Sequence, residues 1–272
     1  MIARWFIPAA LAVAIALPAA RPATAQVRLS DLVQVEVLDG GSAANGTRQA
    51  ALRVTLADGW KTYWRAPGDA GIPPEVDLTG SRNLGNVAIT WPAPHVFDQG
   101  GLRSIGYARQ MVLPLTITAA NPGQPVTLAG ELRIGICADI CIPADLAFEA
   151  PLDAAAPRHP AIAAALAARP LTAAEGGVTS ATCSLRPGPD GLRLTAILAL
   201  PDTGGEEVVV VEPGSGDLWA SPADTRRAGK ALEVTADIAR TDGRAFALDR
   251  SALRFTVLGS RRTVDIRGCS AD

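Results

Sequence analysis

Cys137 and Cys141 stand with three residues between them in the run Leu132-Arg-Ile-Gly-Ile-Cys-Ala-Asp-Ile-Cys-Ile-Pro143. Two thiols at that spacing admit three chemistries. They can cycle between dithiol and disulfide, hold a soft metal such as Cu(I) or Zn, or staple a hairpin. On a flat strand their Cα atoms would lie roughly 13 Å apart, whereas a disulfide needs them within about 7 Å. A bond therefore requires the chain to fold back through Ala138-Asp139-Ile140, as a three-residue hairpin loop allows. The alternation agrees with such a hairpin. Leu132, Ile134 and Ile136 share one strand face, and Ile142, Ala144, Leu146 and Phe148 share one on the return arm, so each cysteine points the other way. Both sulfurs are expected together on the face away from the apolar residues, open to a partner. Asp139 would raise a neighbouring thiol's pKa, which suits a relay pair attacked by a more reactive thiol. Met111 and His95 are too distant in sequence to point to a metal site, and no metal or cofactor is expected.

The elements that must position these sulfurs read as strands. Short alternating runs separated by Gly, Pro, Asn and Asp recur at Val33–Val37, Leu52–Leu56, Val87–Trp91, Met111–Ile117 and Val126–Leu128 ahead of the cysteine hairpin. They return at Leu192–Leu198, Glu207–Val211, Leu232–Ile238, Leu253–Val257 and Thr263–Ile266. This spacing predicts an all-β chain of two tandem antiparallel β-sandwiches, over residues 26–152 and 178–272. Residues 153–177 between them are Ala-rich and punctuated by Pro157, Pro160 and Pro170, with one short helix expected over Ala161–Ala168. So few large side chains bury little, and the segment reads as a linker. Cys183 and Cys269 bracket the second sandwich and read as a structural disulfide tying its first strand to its last. A loop of that length is worth about 4.5 kcal/mol in the chain-entropy model.

Residues 1–25 read as a signal peptide. Arg4 gives the positive start, Trp5 to Ala20 the apolar run, and Ala23-Thr-Ala25 the small-residue cleavage site before Gln26. The run is short for a membrane span, and no later stretch is long or apolar enough to be one. An exported chain in an oxidising compartment is expected, where its four cysteines can stay paired. The sequence carries 25 basic and 27 acidic residues, and loss of Arg4 and Arg21 with the leader takes the formal charge from −2 to about −4. With no basic block or basic-aromatic stripe, nucleic acid is excluded as a partner.

Two further stretches carry candidate function. Gly59-Trp-Lys-Thr-Tyr-Trp-Arg-Ala-Pro-Gly-Asp-Ala-Gly-Ile-Pro-Pro74 concentrates Trp60, Tyr63 and Trp64. With Tyr107 these side chains form either a docking surface or sandwich core beside a Pro/Gly-rich connection. Trp91 to Tyr107 reads as a long loop able to cover the cysteine pair, or as an ordinary crossover. His95 and His159 have no Ser or Cys at a triad spacing, and no Gly-rich phosphate loop occurs.

With these stretches in view, Val33 to Leu152 resembles the N-terminal periplasmic domain of the DsbD family of protein-disulfide reductases. The resemblance rests on Gly59-Trp60 with Tyr63-Trp64, Pro67-Gly68-Asp69, Gly71-Ile-Pro-Pro74, Trp91-Pro92, Ser104 to Tyr107 running into Val112-Leu-Pro-Leu115, and Cys137-Ala-Asp139. The two-domain layout is more like the exported region of the ScsB-type relatives, which are linked to copper tolerance. The resemblance implies an immunoglobulin-like periplasmic domain whose pair, Cys137 and Cys141, relays electrons, with Cys141 forming the mixed disulfide. Electrons would arrive from a separate membrane-embedded carrier through a thioredoxin-like donor. They would leave to periplasmic thioredoxin-fold proteins, such as disulfide isomerases or cytochrome c maturation factors. Phe97, Asp98 and Gln99 take the position of the family's cap, and Asp98 is the carboxylate expected to manage protons. The hairpin is tighter than in the best-known members, and the cap's acidic-acidic-aromatic run is replaced by Phe97-Asp-Gln-Gly100. A Cu(I)-handling module and a redox-inert scaffold remain the alternative readings.

Overall fold

The computed structural model describes residues 28–68, 71–99 and 101–271, so the leader and its cleavage site lie outside the described residues. A single turn of helix, α1 (Leu29–Leu32), leads into β1 (Val33–Ser42), β2 (Arg48–Leu56), β3 (Lys61–Gly68), β4 (Glu75–Asp77) and β5 (Leu84–Ile89). There follow β6 (His95–Gln99), β7 (Leu102–Ala108), β8 (Gln110–Ala119), β9 (Val126–Cys137) and β10 (Cys141–Leu152). These strands make two antiparallel sheets, in the orders β1-β2-β8-β5 and β10-β9-β3-β7-β6, with β4 also on β9. Alternating side chains close between the sheets. Leu52, Val54, Leu113 and Leu115 come from one side, and Trp64, Leu132 and Ile136 from the other, all essentially excluded from water.

The connection between the halves contains α2 (Pro160–Ala167), begun by Pro160 and capped by His159, whose Nδ1 accepts from Ala161 N at 3.2 Å. This segment was expected to bury little. Instead Ile162 is buried against Leu38 and Ala51 on the outer face of the first sheet. Gly40 makes the room, since a Cβ there would lie 3.0 Å from Ile162 Cδ1.

The second half comprises β11 (Leu171–Thr172), β12 (Ser180–Pro187), β13 (Leu192–Ala199), β14 (Val208–Glu212) and β15 (Leu218–Ala220). It continues with β16 (Asp224–Ala228), β17 (Ala231–Arg240), β18 (Arg254–Leu258), β19 (Thr263–Arg267) and β20 (Ser270–Ala271). Its sheets run β11-β19-β18-β14 and β15-β17-β13-β12-β20, with β16 on β17. Phe255, Leu194 and Leu198 fill the core beside Cys183, which is bonded to Cys269 and so ties β12 to the chain's end.

The two sandwiches meet along β3 and β14. Arg65 makes a two-pronged ion pair with Glu212, both hydrogen bonds 2.9 Å, while its guanidinium stacks on Trp64 at 3.8 Å. Val208 and Leu258 of the second sandwich join the core of the first. Further out, Arg103 on β7 reaches Glu206 at 3.1 Å.

Candidate functional site

Strands β9 and β10 run in register from Val126↔Leu152 to Cys137↔Cys141, leaving Ala138, Asp139 and Ile140 as the loop. Ala138 N donates to Ile140 O at 3.0 Å and closes it. The two cysteine Cα atoms are 4.2 Å apart, close to the separation of a non-hydrogen-bonded antiparallel pair. The ladder thus brings the sulfurs within bonding reach, and they form a disulfide.

The expectation that both sulfurs would be open needs correction. Cys141 is exposed, but Cys137 retains only 1% of its surface. The cover comes from the chain that follows Trp60. Alternation along β3 sends Thr62 and Trp64 inward and Lys61 and Tyr63 to the outer face, beside Cys137. Thr62 Oγ1 donates to Gly135 O at 2.9 Å and fixes β3 against β9. The Tyr63 ring lies over Gly135, where a Cβ would come 3.2 Å from Tyr63 Cε2 and 3.0 Å from Ile72 Cβ. Tyr63 Oη ends 2.8 Å from Cys137 Sγ and 3.4 Å from Cys141 Sγ. Burial pushes the Tyr63 hydroxyl's pKa up, so it stays protonated at neutral pH.

Lys61 is the direct cross-strand partner of Cys137. It is buried, with Nζ donating to Ser104 Oγ at 3.3 Å and lying 5.1 Å from the centre of the Phe97 ring. Burial lowers its pKa from the ordinary lysine value. Sequence reasoning passed over this lysine, although the alternation in Trp60-Lys-Thr-Tyr-Trp64 places it on the face of Tyr63.

The stretch read as a loop over the pair is instead a β-hairpin, β6 and β7, paired from His95↔Gly106 to Gln99↔Leu102. Phe97 faces Lys61 and stands edge-on to His95. Asp98 points from the other side of the strand and takes Arg103 at 3.3 Å, so its carboxylate is turned from the sulfurs and toward the second sandwich. The side chain of Gln99 lies outside the described residues.

Of the two readings of the aromatic cluster, docking surface or sandwich core, the side chains take the core. Trp64 is fully buried, Tyr63 and Tyr107 nearly so, and Trp60 half-buried against the core. Tyr107 donates its hydroxyl to Pro92 O at 2.8 Å and serves the fold. The large apolar side chains exposed near the disulfide are Ile140, in the loop itself, and Ile72, beside Gly135.

Residues 31–152 match the family model described as thiol:disulfide interchange protein DsbD, N-terminal. That segment is similar to a DsbD N-terminal domain. The match spans the whole Cys137–Cys141 site. The N-terminal periplasmic domain of ScsB from Proteus mirabilis superposes with a TM-score of 0.69 at 24% identity, over 91% of this chain and 97% of that one. Both sandwiches therefore share the fold of that structure. No curated protein matches the sequence.

Proposed function

We propose that this chain is a periplasmic thiol-disulfide exchange module, in which Cys137 and Cys141 carry electrons between thioredoxin-fold proteins as a protein-disulfide reductase. The observation that carries this reading is the unequal burial of the two sulfurs within a segment that matches the DsbD N-terminal family model. An incoming thiolate can reach Cys141 and not Cys137. Attack on Cys141 Sγ breaks the disulfide and leaves the charge on Cys137, where the Tyr63 hydroxyl already points. Ile72 and Ile140 offer an apolar rim for the face of a partner around its own active cysteine. A donor dithiol linked to a separate membrane-embedded carrier would load the pair, and periplasmic thioredoxin-fold disulfides would unload it. Cytochrome c maturation and copper tolerance are the settings this activity fits.

The test is the reduction potential of the pair, with the second disulfide intact. A value within the range of thioredoxin-like exchange proteins, roughly −270 to −120 mV, is expected. A value below about −300 mV, where structural disulfides lie, would make the hairpin a staple. In addition, Cys137→Ser should trap a mixed disulfide through Cys141, and Cys141→Ser should trap none.

A further inference from the structure

We infer that the Lys61 ammonium is the charge that stabilises Cys137 as a thiolate when the disulfide opens, an inference that rests on the exchange reading above. Lys61 and Cys137 are paired across the β3–β9 ladder. Their side chains therefore rise from the same sheet face, with Cβ atoms about 4.5–5.5 Å apart. Both are buried, at 7% and 1% exposure. In the disulfide form Cys137 carries no charge, and the contacts of the ammonium include Ser104 Oγ and the Phe97 ring. The flexible four-carbon stem lets the same group turn toward its cross-strand neighbour once a negative charge appears there.

The chemistry places that charge with little ambiguity. The thiolate of a donor dithiol attacks Cys141 Sγ. A donor–Cys141 disulfide forms, the Cys137–Cys141 bond breaks, and its electron pair leaves on Cys137 Sγ. The donor's second thiolate then displaces Cys141. Two electrons have moved to the pair, the donor is oxidised to its disulfide, and two protons complete the two thiols. In the first step a unit of negative charge passes from the attacking sulfur to one shielded from water. Desolvation opposes that transfer, and a nearby cation offsets it more strongly in a shielded site than in water.

Among the described residues, this face carries few titratable and charged groups. Tyr63 comes from β3, Cys141, Asp139 and Asp145 from the hairpin and its return arm, and His95 from β6, while Arg133 along β9 pairs with Glu75 at 3.6 Å. Tyr63 supplies a neutral donor. Asp139 is exposed and of the wrong sign. Arg133 is half exposed and lies four positions along β9 from Cys137. Lys61 is the buried cation among them.

The experiment titrates the Cys137 thiol by its thiolate absorbance in the full chain carrying Cys141→Ser, with and without Lys61→Met. Methionine keeps most of the stem and removes the charge. Removal of the charge should raise the Cys137 pKa by about one unit or more, slow reduction of the otherwise wild-type pair by about tenfold, and be largely restored by Lys61→Arg. Lys61→Gln, which keeps a donor for Ser104, serves if the methionine variant folds poorly, and should show the same pKa rise. An unchanged pKa in the charge-free variants would reduce Lys61 to a prop for Phe97 and overturn the inference alone. A wild-type pair inert to thioredoxin-fold dithiols would overturn the exchange reading, and the use of this charge with it.

Discussion

The hydroxyl of Tyr63 lies 2.8 Å from Cys137 Sγ, at the cysteine of the Cys137–Cys141 pair that solvent does not reach. A neutral disulfide gains little from such a donor, whereas a thiolate gains a charge-assisted hydrogen bond. The contact therefore favours the reduced state and the transition state leading to it. Tyr63→Phe should slow reduction of the pair about tenfold and make its potential more negative by about 30 mV, the two-electron equivalent of about 1.4 kcal/mol. Stopped-flow reduction and redox titration check this. A variant as fast as wild type would leave the hydroxyl a packing group.

Gly135 sets the height of that hydroxyl. A Cβ there would press on Ile72 Cβ at 3.0 Å and Tyr63 Cε2 at 3.2 Å. Gly135→Ala should displace the ring, expose Cys137, and let iodoacetamide alkylate both thiols of the reduced protein at similar rates. In the wild type Cys141 should react far faster.

The two disulfides should separate by function. Loss of the Cys183–Cys269 bond, with a sequence separation of 86, should cost about 4.5 kcal/mol in the chain-entropy account. Loss of Cys137–Cys141, closing a loop of a few residues, should cost about 2 kcal/mol or less. Denaturant midpoints of Cys183→Ala and Cys141→Ala, set beside their exchange rates, make the comparison. Cys141→Ala should abolish exchange, and Cys183→Ala should leave it running in whatever fraction stays folded.

Arg65 and Glu212 hold the sandwiches together with both side chains largely shielded. Glu212→Gln leaves Arg65 facing Arg254 with less compensation. Discounting for the residual exposure of the pair, the loss should be about 2 kcal/mol. Arg65→Met with Glu212→Leu should recover part of it, and a double-mutant cycle on thermal unfolding reads the coupling.

Alkaline pH should weaken the fold through Tyr107. Burial raises its pKa above the ordinary 10.0, so the unfolded chain releases this proton first. The contribution is complete below pH 10 and falls away as pH climbs toward the folded-state value. Thermal melts between pH 8 and 11 should show a steeper loss for the wild type than for Tyr107→Phe, though that variant starts lower for want of its bond to Pro92.

Much of this arrangement was legible in the residues, because alternation is a local signal. Leu132, Ile134 and Ile136 against Cys137 specified the hairpin and its outward sulfurs, and the strand runs specified two sandwiches. What covers the outer face was not legible, since it depends on contacts distant in sequence. The 72–74 segment folds back over Gly135, which hides Cys137. The β6–β7 pairing turns an apparent loop into two strands, and thereby sends Asp98 away from Phe97. By type alone, Trp64 and Tyr107 suit either recognition or core. Only the strand partners of Thr62 reveal which way each faces.

The β9–β10 ladder continues for twelve paired positions from Cys137↔Cys141 to Val126↔Leu152. Its outermost rung is the disulfide, so backbone hydrogen bonds, and not the sulfurs, hold the arms together. Under the exchange reading, the pair would store and release two electrons with the strand ladder beneath it held in place, much as a capacitor charges without moving its plates. The backbone of the hairpin would then give a partner little by which to tell a loaded module from an empty one. Discrimination between the two states must fall to the sulfur of Cys141 itself, and the apolar rim around it should bind both alike.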